Sequence, residues 1–140
     1  METKNIVVVG GGAAGFFCAI QIAEMHPEWQ VTIVEKSTKL LSKVRVSGGG
    51  RCNVTHACPD VDHLIQKYPR GQRFLKKAFY QFATLQTIDW FAKNEVKLHT
   101  EKDGRMFPIT NDSETIVACF MKKVNQYQIE ILLNHEVVSV

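Results

Sequence analysis

The sequence predicts an α/β fold built on a parallel sheet, and three observations carry that prediction. Asn5–Val9 is a short β-branched run, residues 14–26 repeat apolar side chains at helical spacing, and Gln30–Glu35 is a second β-branched run. Strand, helix and strand in that order make one βαβ unit, whose crossover sets the two strands parallel. A glycine-rich turn, residues 10–15, joins the first strand to the helix.

The elements follow in order. Asn5–Val9, apolar and followed by glycines, fits a buried strand. Phe16, Ala19, Ile20 and Ala23 form one side of the first helix and Cys18, Ile22 and Met25 a second, so the helix expects cover on more than one side. Pro27 ends it. Val31, Ile33 and Val34 mark the second strand, and residues 36–56 show no sustained period and read as a loop. Residues 73–83 predict a helix with Phe74, Leu75, Ala78, Phe79 and Phe82 on its buried face. Thr84 is a candidate N-cap for a further helix carrying Leu85, Ile88, Phe91 and Ala92. Residues 96–101 and 105–109 flank Asp103-Gly104, a two-residue hairpin turn. Ile116, Val117, Phe120, Met121, Val124 and Tyr127 predict a long amphipathic helix capped near Asp112 or Ser113, and residues 129–133 and 137–140 read as strands. There is no repeat or linker, so residues 1–140 form one domain. The apolar pattern runs to the last residue, which leads us to expect a piece of a larger protein.

Composition excludes several classes. With 140 residues, 45% hydrophobic and 22% charged, the chain is long enough to bury roughly two-thirds of its unfolded surface without a disulfide or metal staple. A formal charge of +3 does not by itself call for a polyanion. Cys18, Cys52, Cys58 and Cys119 contain no CxxC pair, against both a zinc ribbon and a disulfide scaffold. The first apolar run is too short for a signal peptide or a membrane span, so a cytoplasmic protein without a membrane partner is expected.

Gly10, Gly12 and Gly15 complete a GxGxxG with Ala13 and Ala14 inside it, placed between a strand and a helix. The first glycine permits the tight turn, the second lets backbone approach a pyrophosphate, and the third lets helix pack on strand. The helix N-terminus then offers N–H groups to phosphate. Glu35 stands 20 residues past Gly15 at the end of the second strand, where a carboxylate accepts hydrogen bonds from an adenosine ribose. It would repel a 2′-phosphate, so FAD or NAD is expected rather than NADP. Ser47-Gly48-Gly49-Gly50-Arg51-Cys52-Asn53 reads as a second cofactor-facing loop: three glycines carry an entropic cost a plain connector need not bear, and their N–H groups offer a possible anion nest.

Residues 10–15, Glu35, residues 47–56 (SGGGRCNVTH) and residues 103–108 (DGRMFP) together resemble a bacterial flavoprotein family, the NAD(P)/FAD-dependent oxidoreductases or NAD(FAD)-utilising dehydrogenases of the YhiN/BaiN type. The likeness runs through the whole chain in the same order. It implies a Rossmann-like, glutathione-reductase-type FAD-binding domain with a parallel sheet, helices and a β-hairpin. By position, Gly10, Gly12, Ala13, Ala14 and Gly15 would hold the pyrophosphate, and Glu35, with Lys36 adjoining, the ribose. Lys43 and residues Ser47 to Asn53 would line the FAD further along, and the backbone of Val137 would meet the adenine. Arg105 has a pocket role only on this resemblance. Where family members often carry Gly-Arg-Lys or Gly-Lys-Lys before the serine, this chain has Leu41-Ser42-Lys43-Val44-Arg45-Val46. Family members are also much longer, with a substrate-side insertion and a late segment that closes the flavin site. On that comparison the domain is incomplete and the chain is the N-terminal part, short of catalytic competence.

The implied activity passes hydride between a nicotinamide cofactor, NAD(P)H, the flavin and an organic small-molecule substrate; no catalytic acid or base is visible. The alternative is a truncated dinucleotide-binding or assembly module without chemistry, self-associating through exposed apolar surface. Cys52, His56, Cys58 and His63 match no zinc module, and no metal is expected. A redox role for Cys52 beside Arg51 would need a lowered thiol pKa. Lys67, Arg70, Arg73, Lys76 and Lys77, interleaved with Tyr68 and Phe74, read as a solvated face rather than a nucleic-acid site, because Phe74, Ala78 and Phe82 are expected to be buried.

Overall fold

The computed structural model describes residues 3–139. The chain runs β1 (Asn5–Val9), α1 (Ala13–Met25), β2 (Gln30–Glu35), α2 (Ser42–Gly50), β3 (Thr55–His56), α3 (Val61–Ile65), α4 (Gln72–Phe79), α5 (Thr84–Lys93), β4 (Leu98–Thr100), β5 (Arg105–Pro108), α6 (Glu114–Gln126) and β6 (Glu130–Leu133). Among the described residues the strands form two sheets. One is parallel, in the order β1-β2-β6, with Ile6 opposite Val31 and Val34 opposite Leu132. The other is antiparallel, in the order β3-β5-β4.

The core lies where α1 and α6 meet each other and the parallel sheet. Phe16 and Ile20 of α1, Ile33 of β2 and Ile116 of α6 are all but sealed from solvent, and the Phe16 and Phe120 rings sit 6.0 Å apart. Each such side chain contributes about 1.5–3 kcal/mol by its burial. Helix α1 buries the predicted stripe of Phe16, Ala19, Ile20 and Ala23. Its second side is covered only in part: Ile22 is half-buried against the core, while Cys18 and Met25 face solvent, and between the two sides Phe17 meets Phe82 and Trp90 at 5.2 Å.

Several expectations are corrected. Strand β1 is not buried: it lies at the sheet edge, and Val7 and Val9 are about 60% exposed because no described element covers that face. The stretch read as a loop contains α2, regular through Val46 and then broken by non-helical backbone at Ser47, Gly48 and Gly49. Helix α3 carries too few residues to show a period. Helix α4 ends at Phe79 and turns Leu75 and Phe79 inward, leaving Phe74, Ala78 and Phe82 exposed. Thr84 is the first residue of α5, not its cap: buried, it donates its hydroxyl to the Cys58 carbonyl at 2.6 Å, while Gln86 accepts from the Ala83 N–H. The hairpin loop has three residues, Lys102-Asp103-Gly104. The Gly104 N–H bonds the Glu101 carbonyl and Gly104 has φ +84, a type I turn closed by a glycine bulge. At the start of α6, Asp112 accepts from the Glu114 N–H, whereas the Ser113 hydroxyl donates to the Arg45 carbonyl. Residues 137–139 form no strand, and Val140 lies outside the described residues.

Candidate functional site

The three motif glycines of the first turn, Gly10, Gly12 and Gly15, have three different reasons to be glycine. Gly10 adopts φ +105. A Cβ on Gly15 would lie 1.9 Å from the Gly10 carbonyl oxygen, so only glycine lets α1 start this close to β1. A Cβ on Gly12 would meet no protein atom within 4 Å, leaving open space in front of the α1 N-terminus. No side chain caps that terminus and its first turn carries no acid. The end is therefore free to receive an anion.

Glu35 locks the turn to the sheet. Its Oε2 accepts from the Gly11 N–H at 2.8 Å, and its Oε1 accepts from the Ser37 N–H at 2.9 Å and the Ser37 hydroxyl at 2.8 Å. The Gly11 and Ser37 amides hold the Glu35 carboxyl below the usual range. Oε2 keeps a lone pair for a ribose hydroxyl. The Leu41 N–H closes the other side by bonding the Gly11 carbonyl at 2.8 Å.

Because the folded pKa is depressed, the Glu35 contribution is fully present above the ordinary glutamate pKa and is lost as pH falls through the folded value. Glu35→Gln is therefore expected to lower stability by about 1 kcal/mol near neutral pH. The gap to the parent should narrow in acid; urea midpoints taken from about pH 7 to about pH 3 test this, and a gap that widens in acid would reverse the assignment.

Two concavities flank the turn. The first, of about 300 Å³, is bounded by Gly10, Glu35, Lys36, His135, Glu136 and Val137. Val137 thus reaches the carboxylate end without belonging to a strand, brought there after β6 by the His135 N–H bonding the Glu35 carbonyl at 3.0 Å. The second, of about 430 Å³, opens beside Ala13 and Ala14. Lys43, Ser47, Cys52 and Asn53 line one part of it, and Phe17, Thr87, Trp90, Phe91 and Phe120 another. The glycine turn stands between them.

The second glycine loop divides its residues between two tasks. Its ends, Ser47, Cys52 and Asn53, face the larger pocket. Between them, Gly48 and Arg51 face the hairpin, Gly49 borders open space, and the Gly50 carbonyl accepts from the Ser113 N–H at 2.9 Å. Gly48, Gly49 and Gly50 take φ of 58°, 71° and 89°, and a Cβ on Gly48 would lie 2.6 Å from the Phe107 ring. Three left-handed residues in a row are not the alternating backbone of an anion nest. Arg51 turns from the pocket: its Nε donates to the Gly48 carbonyl, a terminal nitrogen pairs with Glu101 at 2.5 Å, and the guanidinium lies 4.0 Å from the Phe107 centroid. Arg105, across the same ring, pairs with Asp103 and Glu101 and lines neither concavity. Burial pushes the Cys52 thiol pKa up, the wrong direction for a thiolate nucleophile. Among the described residues no three His, Cys, Asp or Glu side chains gather as a metal site.

The aromatic wall of the larger pocket and Ser37 escaped the sequence reading. A pocket wall and a core stripe carry the same apolar spacing, so Trp90 and Phe120 gave no signal. A serine two residues beyond an acid at a strand end was a readable hint of a side-chain turn.

A parallel βαβ unit with a bare helix N-terminus at its glycine turn and a carboxylate at the end of β2 defines a dinucleotide-binding domain of Rossmann type. Residues 4–140 match the HI0933-like protein Rossmann domain, and the chain belongs to that family, one of FAD-binding oxidoreductases. It is 31% identical over 134 residues, 96% of this chain and 32% of the relative, to the ribosomal RNA dihydrouridine synthase of Haemophilus influenzae. It is 26% identical over 129 residues, 91% of this chain and 30% of the relative, to the 3-dehydro-bile acid delta(4,6)-reductase of Clostridium scindens. The crystal structure of Thermovibrio ammonificans THI4 shares the fold, with a TM-score of 0.58 at 11% identity over 94% of this chain and 38% of that one. The chain spans about a third of the length of the curated relatives it matches. Among the described residues no helix is long and apolar enough to cross a membrane.

Proposed function

We propose that these residues form the FAD-binding part of an oxidoreductase that adds hydrogen across an activated carbon–carbon double bond, with a nicotinamide as electron donor. The observation that carries the reading is the order of features across the glycine turn: a concavity with the Glu35 carboxylate on one side, the bare helix N-terminus, then a pocket with aromatic walls on the other. FAD presents a ribose, a pyrophosphate and a planar ring system in that sequence, and the open space at Gly12 is where its pyrophosphate would pass. The aromatic walls favour the flavin ring over a nicotinamide at that end.

In this reading Glu35 holds the adenosine ribose and Val137 backs the adenine. The N–H groups at the start of α1 take the pyrophosphate, while Lys43, Ser47, Cys52 and Asn53 orient the ribityl and ring end. Bound FAD supplies hydride transfer; the chain positions it and excludes water. The names of the two relatives, a dihydrouridine synthase and a delta(4,6)-reductase, both denote saturation of a carbon–carbon double bond, and that shared chemistry supports the reaction class. A uracil ring in RNA and a steroid enone are two substrates of that kind.

Adding FAD, desalting and recording the visible spectrum tests the reading. A retained flavin band is expected; a protein folded by circular dichroism that retains none would overturn the assignment of the site to these residues.

A further inference from the structure

Helix α4 buries none of its residues. Its inward side is Leu75 and Phe79, half-buried, with Phe79 5.3 Å from Tyr68. An adjoining row, Phe74, Lys77, Ala78 and Gln81, recurs at helical spacing and is exposed throughout, Phe74 at 85%. Lys67, Arg70 and Arg73 are exposed on the same segment. Of the acids on neighbouring α3, Asp62 pairs with Lys76 at 2.6 Å and Asp60 accepts from the Asp62 amide. No ion pair reaches Lys67, Arg70, Arg73 or Lys77 among the described residues. The expectation of no nucleic-acid contact rests on a buried Phe74, and that premise fails.

We propose that the outward face of α4 docks single-stranded RNA. Unpaired cations spaced along a segment meet phosphates, and a flat, exposed ring stacks a base. The proposal deepens the reading above and chooses between its two substrate kinds, because a steroid would leave these cations without a role. The surface also leads inward. Tyr68 and Phe79, behind the face, line a cavity of about 320 Å³ that includes Asn53 and Val54, and those two residues also line the larger pocket. A strand held on α4 would therefore lie beside two neighbouring cavities, the second at the flavin end, and we place one unstacked base there, as an enzyme acting on a base requires.

The test is fluorescence anisotropy of a labelled, uridine-rich, unstructured RNA of about twenty nucleotides with the 140-residue chain. At ~0.7 per phosphate contact, three or four cations give a log–log salt slope of roughly −2 to −3. Phe74→Ala should weaken binding roughly tenfold and Phe74→Trp preserve it. Combining Arg70→Ala, Arg73→Ala and Lys77→Ala should flatten the salt slope, whereas Lys93→Ala with Lys97→Ala, exposed on another face, should change nothing. All these positions are exposed, so folding is retained and is checked by circular dichroism. Absence of binding at low salt, binding indifferent to the α4 changes, or a Phe74→Ala effect confined to self-association in size-exclusion chromatography would each overturn the proposal. No flavin enters this assay: failure here with flavin retained rejects the RNA face alone, while RNA binding without flavin retention rejects the flavin reading alone.

Discussion

Gly15→Ala is expected to destabilise the fold by about 3 kcal/mol or more and to abolish flavin retention, while Gly12→Ala leaves stability within about 1 kcal/mol and weakens FAD at least tenfold. The difference follows from what each new methyl group meets. At Gly15 it falls 1.9 Å from the Gly10 carbonyl oxygen, a backbone atom that cannot swing aside, so α1 or the turn must move. At Gly12 it meets no protein atom and the backbone, at φ −93, suits any residue. On the proposed placement of FAD, the added methyl stands in the ligand's path. Urea unfolding and FAD titration by flavin fluorescence separate the two effects. Equal losses of stability for both variants would show that Gly12 is a packing residue and not a cofactor-facing one.

Phe107→Ala should be among the most destabilising single side-chain truncations, at about 3–5 kcal/mol. The ring is fully buried and lies in β5, the strand that pairs with both β3 and β4. It also fills the space that a side chain at Gly48 would need and lies under the Arg51 guanidinium. The hairpin is thus the template on which the second glycine loop is shaped. Gly48→Ala should cost less in the Phe107→Ala background than in the parent, with a coupling of about 1 kcal/mol. Thermal or urea unfolding of the four proteins gives the cycle. Additive losses would mean that ring and loop are independent.

Both predictions depend on residues whose meaning in sequence differed sharply. The first glycine motif was legible because its physical demands are local: a turn, a helix start and a carboxylate at the end of the next strand all fall within about thirty residues. The second loop was legible as unusual, but the direction of Arg51 was not, since its partner Glu101 lies fifty residues away. Helix α4 shows another limit. Apolar residues at 74, 75, 78, 79 and 82 fit more than one helical face, and only the neighbours Tyr68 and α3 decide that Leu75 and Phe79 turn inward. Strand β1 read as buried because its valines are identical in character on both faces, and the pattern does not record which face has a neighbour.

The pairing of β2 with β6 carries a consequence for the order of folding. Strands β1 and β2 meet through a short crossover, whereas Thr32 pairs with Glu130, 98 residues further along the chain. Loop-closure entropy rises with the length closed, so the βαβ unit and its glycine turn form early and β6 docks late. Residues 135–137, which wall the carboxylate end, arrive only with that late step. On a ribosome, the turn proposed to take the pyrophosphate would thus exist before the proposed adenine position does, and a nucleotide bound there would gain its full hold only when β6 joins the sheet.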